Sequence, residues 1–334
     1  MVTINDIAKE AGVAKSTVSR YLNNGSVSPK TKKKIDEIVK KRGYKPNTFA
    51  RSLKAQKTNM IGVIIPRLNS SSTNQVLVGI DEMSRQLGYK LIITNSDQNN
   101  EREYENIQTL IKQKVEGVIM FAREIMPENV DLVKNTQTPF LFIGQKVDGI
   151  NSIIHQDYQA GAKIGKFALE LGHRHFLYIG VPETDKAVGI ERKQGFLDAV
   201  QAKRGAQVET IESDFSRTAA YQKALSFLKD LKATYIVCAT DNIAIAVLKA
   251  ANELGYTVPD DFSLSGFGGY EATAYTSPTI TTISYPYRKM GIEAVDKLAK
   301  LINQEEIPEV IEMSNELIVN QSTKRIKKEG INKV

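Results

Sequence analysis

Over the first 45 residues apolar side chains recur at helical spacing, and from Asn59 onward they condense into short runs that alternate with longer amphipathic stretches. Ile7, Ala8 and Ala11 form one stripe, Gly12 permits a sharp turn, and Val13, Val18 and Leu22 face back onto that stripe. A third helix is predicted to open with Ser28 as its cap and Pro29 in its first turn, to bury Ile35, Ile38 and Val39, and to stop at Gly43. Three short helices around one small core predict an all-α helix-turn-helix domain over residues 1–46. Residues 47–58 contain "TFARSLKAQKT", which has helical character. Helices shorter than about 12 residues are marginal in water, so a hinge ordered by a partner is expected there.

The remainder, 59–334, reads as strands and helices in alternation. "MIGVIIP", "KLIITNS", "EGVIMF" and "PFLFIG" are predicted strands of a first series, with "NQVLVGIDEMSRQLGY" and "NIQTLIKQK" as helices. A second series runs from "KIGKFALELGH" through "HFLYIG", "GFLDAVQAK", "AYQKALSFLKD", "TYIVCAT" and "IAIAVLKAANELGY" to "FSLSGFG". Two such series predict an α/β core of two lobes, each a parallel sheet flanked by helices. Ligands of open α/β sheets sit beyond the carboxyl ends of the strands, which makes a cleft between the lobes the expected site. The final stretch, "STKRIKKEGINKV", carries no leucine heptad and reads as a polar tail.

Charge sharpens this division. Residues 1–58 hold 14 Lys or Arg against 4 Asp or Glu, a net +10, and the other 276 residues hold 31 against 34, a net −3. A partner of dense negative charge is expected at the N-terminal end, double-stranded DNA first. "KTKKK" alone could instead be a solvated helix face. In a helix-turn-helix the N-terminal residues of the second helix meet base edges. Here these are Lys15 and Ser16, with Arg20 one turn later, suited to a bidentate contact with guanine. Thr17, Ser19 and Asn23 suit phosphate contacts. In the hinge, Leu53, flanked by Arg51 and Lys54, is a candidate wedge for the minor groove, its alternative being simple packing onto the core.

Other classes find little support. No run of about 18 apolar residues and no apolar leader is present, so a cytoplasmic protein without membrane contact is expected. The one cysteine, Cys238, lies in an apolar run and reads as structural. "GAKIGKF" has the wrong spacing for a phosphate-binding loop and Phe167 where a hydroxyl is needed, and "SGFGGYE" lacks the third glycine of a dinucleotide turn. His173 and His175 in "GHRHF" are poorly spaced for one metal ion. No catalytic constellation emerges, and neither metal nor cofactor is expected.

The ordered set "TINDIAKEAGVAKSTVSRYLN", "GYKPN", "ARSL", "IGVIIP", "VEGVIM", "LGHRHFLYIG", "RKQGF", "TDNIAIAVLKAANELGYTVPDDFSLSGF" and "PTITTISYP" resembles the LacI family of transcriptional regulators across essentially the whole chain. The resemblance implies a periplasmic-binding-protein-like core that the chain crosses three times, with one lobe at about 59–155 and 285–315 and the other at about 156–284 and 316–325. It further implies a homodimer on a pseudopalindromic operator, two Leu53 side chains at its centre, and DNA contacts extending to Thr3, Tyr44, Asn47 and Ala50. A sugar or sugar phosphate is the effector such a regulator would bind. Arg192 would grip a sugar hydroxyl or carboxylate, Phe215 would stack on a sugar ring, and Asp241, Ser72, Thr73 and Tyr285 would fall at further ligand positions. Asp241 could instead serve to cap the helix that follows.

Departures from the family pattern bear on the ligand. Gly268, Gly269 and Gly144 stand where members often carry Asp, which is expected to leave space for a disaccharide, and "GFGGYE" resembles repressors of sucrose and related disaccharide operons. Ala14 replaces a capping Ser at the second helix, at a cost of about 1 kcal/mol. A global catabolite regulator working with a phosphorylated carrier protein is the alternative within regulators, against which Lys289 and Asp296 carry the opposite charges. A solute-binding sugar receptor would share the core but not the DNA-reading head.

Overall fold

The computed structural model describes residues 2–22, 25–44 and 58–326. Asn23, Asn47, Ala50 and Leu53, and nearly all of the expected hinge, lie outside these residues.

The N-terminal unit holds α1 (Ile4–Ala11), α2 (Lys15–Leu22) and α3 (Pro29–Arg42). Thr3 starts α1 through a reciprocal cap. Its hydroxyl accepts from the Asp6 amide at 3.4 Å, and the Asp6 carboxylate accepts the Thr3 amide and hydroxyl, both at 2.8 Å. Gly12 ends α1 in the left-handed conformation at φ +63°, which turns the chain sharply toward α2. Ser28 caps α3 through the Thr31 amide at 3.3 Å, with Pro29 in the first turn and Gly43 beyond the last. Ile7, Ala8, Ala11, Val18, Ile35 and Ile38 are buried; Val39, expected inside, is only half-buried because so small a core leaves its rim in water. Polar ties complete the packing: Tyr21 donates to Asp36, and Glu10 accepts Arg42 at 2.8 Å.

The larger unit contains two six-stranded sheets. The first comprises β1 (Met60–Ile65), β2 (Lys90–Asn95), β3 (Gly117–Phe121), β4 (Phe140–Ile143), β5 (Ser152–His155) and β11 (Val310–Met313), in spatial order β11-β5-β4-β3-β1-β2 and parallel throughout. The second comprises β6 (His175–Gly180), β7 (Gln207–Glu212), β8 (Tyr235–Cys238), β9 (Ser263–Gly268), β10 (Thr281–Ser284) and β12 (Glu316–Ile318), in order β12-β10-β9-β8-β6-β7, with only β12 antiparallel to its neighbour. The apolar runs of β3, β4, β8 and β9 are buried along their whole length, as strands covered on both faces must be. The first sheet is flanked by α4 (Ser71–Leu87), α5 (Asn100–Lys112), α6 (Pro127–Lys134) and α11 (Tyr287–Ile302), and the second by α7 (Asp157–Glu170), α8 (Arg192–Gln201), α9 (Arg217–Phe227) and α10 (Asp241–Glu253). Among the described residues no helix is long and apolar enough to cross a membrane.

The chain passes between the lobes after His155, after Ser284 and after Met313, and the crossings are bonded to one another. The Gln156 amide donates to the Met313 carbonyl at 3.3 Å, Asn315 returns a bond to the Gln156 carbonyl at 3.0 Å, and Lys163 holds the Asn315 carbonyl at 2.8 Å.

Each lobe contains one helix pair in near backbone contact. α4 crosses α11 at Gly79 and Gly291, where an added Cβ would stand 2.0 Å from the Arg288 carbonyl oxygen or 2.1 Å from that of Val76. α7 crosses α8 at Gly161 and Gly195, where it would stand 2.0 Å from the Arg192 oxygen or 1.9 Å from that of Tyr158. Only hydrogen fits, so Gly195→Ala must push the helices apart. We expect a loss of about 1–3 kcal/mol, the usual range for overpacking, read as a lower urea midpoint; an unchanged midpoint would show that the crossing is not tight in solution.

Candidate functional site

In the N-terminal unit the inward side of α2 is marked by Val18, fully buried, and this places Lys15, Ser16 and Arg20 on the exposed side with Thr17 and Ser19 half-buried at its margins. Ala14 has no side-chain oxygen to offer and contributes its carbonyl, which accepts the Thr17 amide at 2.9 Å and the Val18 amide at 3.3 Å. Two further candidates carry structural duties. The Thr3 hydroxyl is engaged in the α1 cap, and Tyr44 packs half-buried against the helical core.

In the larger unit a cleft of about 160 Å³ opens between the carboxyl ends of the two sheets. Pro66 and Arg67 follow β1, Ala122 and Arg123 follow β3, Gly144 and Gln145 follow β4, Thr240 follows β8 and Tyr270 follows β9. Ser72 and Thr73 also reach the wall, from the first turn of α4, which Ser70 caps at the Thr73 amide (3.3 Å). Phe215 lines the wall with one ring face covered by the Arg67 guanidinium, 4.6 Å from the centroid.

Arg192 sits on the floor, just after a turn of wide, i to i+5 bonding over Lys186–Glu191. Such turns are frequent at functional sites. Its side chain is 6% exposed and that of Asp157 is 4%, so the ion pair between them is screened from solvent. Asp157 Oδ1 accepts Arg192 Nε at 2.9 Å and Nη2 at 2.5 Å, and the Ala239 carbonyl accepts Nη1 at 2.5 Å. Burial opposes the guanidinium's charge, but Asp157 and the surrounding tyrosines outweigh it and keep Arg192 protonated. Three of its five N–H groups are thus engaged, leaving one on each terminal nitrogen.

Asp241 and Tyr285 do not reach the cavity. Asp241 is fully buried behind it, accepting from the Tyr270 amide at 2.8 Å and from the Thr282 hydroxyl at 2.6 Å; burial pushes its carboxyl up to about 6. Thr240, not Asp241, caps α10, its hydroxyl accepting from the Ile243 amide at 3.4 Å. Tyr285 donates to Asp157 Oδ1 at 3.0 Å and stacks beside Arg192, so both residues support the wall from behind.

The expected room at Gly268 and Gly269 is also absent. Gly269 adopts φ +63°, and a Cβ there would meet Ser284 at 2.5 Å; one on Gly268 would meet the Tyr270 ring at 2.6 Å. Tyr270 itself occupies that corner. Gly144 alone of the three lines the cavity.

Sequence reasoning missed Asp157, His155, Gln145, Tyr270 and Tyr287 on the wall. His155 ends β5 and packs against Tyr285 and Tyr287, with centroids 4.6 and 5.3 Å away. Its Nδ1 and the Gln145 Oε1 are buried without a partner among the described residues, which suits them to ligand hydroxyls. His173 is a core residue, bonded to Thr234 at 2.9 Å and to the Lys324 carbonyl at 3.0 Å, whereas His175 is exposed. Among the described residues no group of three or more His, Cys, Asp or Glu could share a metal ion.

Residues 3–47 match the description "Bacterial regulatory proteins, lacI family", and residues 166–323 match "Periplasmic binding protein-like domain". The chain is 39% identical to the sucrose operon repressor of Staphylococcus xylosus over 93% of its own length and 97% of that protein's. The chain belongs to the LacI family. As a LacI-family protein it is a DNA-binding transcriptional regulator. It is also 28% identical to catabolite control protein A of Priestia megaterium, over 97% of this chain and 99% of that one. The lac repressor dimer bound to operator and an anti-inducer superposes with a TM-score of 0.89 at 25% identity, covering 97% of this chain and 99% of the other.

Asp157→Asn should leave the Arg192 charge buried with a neutral partner and lower stability by about 3–5 kcal/mol, measured by denaturant unfolding; a loss below that of a surface ion pair would mean water enters the cleft floor. Burial pushes the His155 imidazole down to about 4 from an ordinary value of 6.5. The fold therefore favours neutral His155, and this contribution is intact above pH 6.5 and lost as pH falls toward 4. Over that interval the stability deficit of His155→Gln relative to the parent should shrink; a pH-independent deficit would contradict the assignment.

Proposed function

We propose that this LacI-family regulator is a homodimeric, cytoplasmic repressor of a carbohydrate-utilisation operon, and that its effector is a disaccharide of the sucrose type bound in the cleft without metal or cofactor. The observation that carries this is the chemistry of the wall. A buried ion pair offers two unspent guanidinium N–H groups, and His155 Nδ1 and Gln145 Oε1 await partners. The rings of Phe121, Phe215, Tyr270 and Tyr287 supply apolar faces for the C–H surfaces of a pyranose or furanose. Similarity to the sucrose operon repressor of Staphylococcus xylosus supports the same reading.

Each half-site of a pseudopalindromic operator would receive one α2, with Lys15, Ser16 and Arg20 toward the bases. The effector acts by binding one relative placement of the lobes more tightly than the other, typically by about 1–3 kcal/mol of coupling. The alternative, a catabolite regulator controlled by a phosphorylated carrier protein, draws on the similarity to catabolite control protein A. Against it, Lys289 is exposed with a charge opposite to that subgroup's, and Asp296 is held by Lys300 at 2.9 Å and Lys297 at 3.1 Å.

Titration calorimetry of the full chain against sucrose, maltose, cellobiose and their monosaccharides should give heat with one disaccharide, and that sugar should weaken operator binding in fluorescence anisotropy. If no sugar binds while a phosphorylated carrier protein does, the alternative holds. Arg20→Ala should lose about 1–3 kcal/mol of discrimination at one base pair of each half-site; unchanged preference across operator variants would remove Arg20 from base reading.

A further inference from the structure

We propose that the cleft carries its own clasp: Tyr270 of the second lobe docks on Ser72 and Tyr287 of the first, Arg67 of the first docks on Phe215 of the second, and these two contacts fix the resting placement of the lobes before any ligand arrives.

Tyr270 makes the first crossing. It lies two residues beyond β9, in the second lobe, and its backbone is held there. Its amide donates to Asp241 at 2.8 Å, and Asp241 also accepts the Thr282 hydroxyl at 2.6 Å. Just ahead of it Gly268 at φ +142° and Gly269 at φ +63° turn the chain, a path that side chains rarely tolerate. The ring so aimed leaves its own lobe. It lies 6.2 Å from the ring of Tyr287, the first residue of α11, and Tyr270 is only 8% exposed. Burial and the charge of Asp241 push the Tyr270 phenol up, and hydrogen bonding with the Ser72 and Tyr287 hydroxyls acts the other way. Ser72 stands in the first turn of α4, so both hydroxyl partners belong to the first lobe. A tyrosine rooted in one lobe and satisfied in the other loses those bonds, and wets its ring, when the lobes part.

Arg67 makes the reciprocal crossing. It follows β1 in the first lobe, and its guanidinium covers Phe215, which follows β7 in the second, at 4.6 Å from the ring centroid. Arg67 makes no ion pair among the described residues. Burial depresses its basicity; Tyr270, Asp185 and Asp214, all of the second lobe, act the other way, and the like charge of Arg123 adds to the depression. Arg123 is spent within its own lobe, on the Gln98 carbonyl at 3.2 Å and on Asn100 and Glu124 at 3.3 Å. Arg67 thus has its attractive partners across the cleft and its repulsive one beside it, which favours closure.

The clasp also bears on ligand entry. Phe215 and Tyr270 are both wall residues, so a molecule stacking on the covered face of Phe215 must first displace the Arg67 guanidinium. Ligand and clasp compete for one surface, and that competition gives the ligand unequal affinity for the two placements of the lobes, as a population shift requires.

The test needs no ligand. Cys238, the one cysteine, is buried, whereas Glu105 in α5 and Lys203 beyond α8 are exposed, so spin labels on Glu105→Cys and Lys203→Cys report the separation of the lobes. Double electron–electron resonance is recorded on the full chain, diluted into unlabelled protein so that a dimer carries one labelled protomer. Tyr270→Phe and Arg67→Met should each shift the distances to longer values, the double variant should shift them further, and Arg67→Lys, which keeps the charge, should stay near the parent. Melting temperatures will show that each variant folds. Unchanged distances in Tyr270→Phe and Arg67→Met would overturn the clasp. On the regulator reading above, operator affinity without sugar should also differ from the parent by at least about threefold in the double variant. Distances that move while operator affinity stays fixed would uphold the clasp and overturn the proposed coupling of cleft to head.

Discussion

The carboxylate of Asp157 ties together three separate segments of the core from one buried position. Its Oδ1 accepts Arg192 at 2.9 and 2.5 Å and Tyr285 at 3.0 Å, drawing together the start of α7, the start of α8 and the crossing between β10 and α11. Arg192 passes the constraint on to the Ala239 carbonyl at the end of β8. A lone guanidinium at this depth would cost several kcal/mol of desolvation, so the pair stands or falls as a unit. It also fixes a geometry: the Arg192 backbone is where Gly161 passes without a side chain, so the ion pair and the helix crossing set each other's position.

The two ends of the molecule meet opposite electrostatic demands. The head concentrates +10 in 58 residues to meet a polyanion, while the core, at −3, spends its charge locally in pairs and caps. Specificity follows the same split. On the proposed function, a few exposed side chains on one short helix would match base edges at the head, whereas in the cleft the groups offered to a ligand are buried and held in place by their neighbours. Linkage between the sites needs only that the ligand favour one arrangement of the lobes, with no direct path of contacts required.

Much of the fold was legible in the sequence because burial on both faces leaves an uninterrupted apolar run. β1, β3, β4, β8 and β9 were visible for that reason, and the head was legible down to Gly12, Ser28, Pro29 and Gly43. β7, with its largely exposed "QVETIE", gives no such run, and α6 and β5 are too short to stand out from their neighbours. α4 and α5 begin earlier than their apolar stripes because Ser70 and Asn99 cap them upstream. The cleft was legible where a residue carried a family position, as Arg192, Phe215, Ser72 and Thr73 do. It was opaque where several segments converge, as at Asp157, His155, Gln145 and Tyr270, which share no spacing. The glycines leave no added room because missing side chains create space only if the backbone stays put. At Gly268 and Gly269 the chain takes positive φ, and the Tyr270 ring fills the corner.

The three bonded crossings have a mechanical consequence. A body attached at one point can swing in any direction, but one attached at three neighbouring points that are tied to each other keeps essentially a single axis of rotation. The tight glycine crossings inside each lobe remove most internal deformation that could absorb the motion. The direction of movement therefore belongs to the chain, and a ligand can choose only how far along it the equilibrium lies. Cleft side chains outside the Asp157–Arg192 pair can change, and the molecule respond to a new ligand, without rebuilding the linkage that turns occupancy into movement.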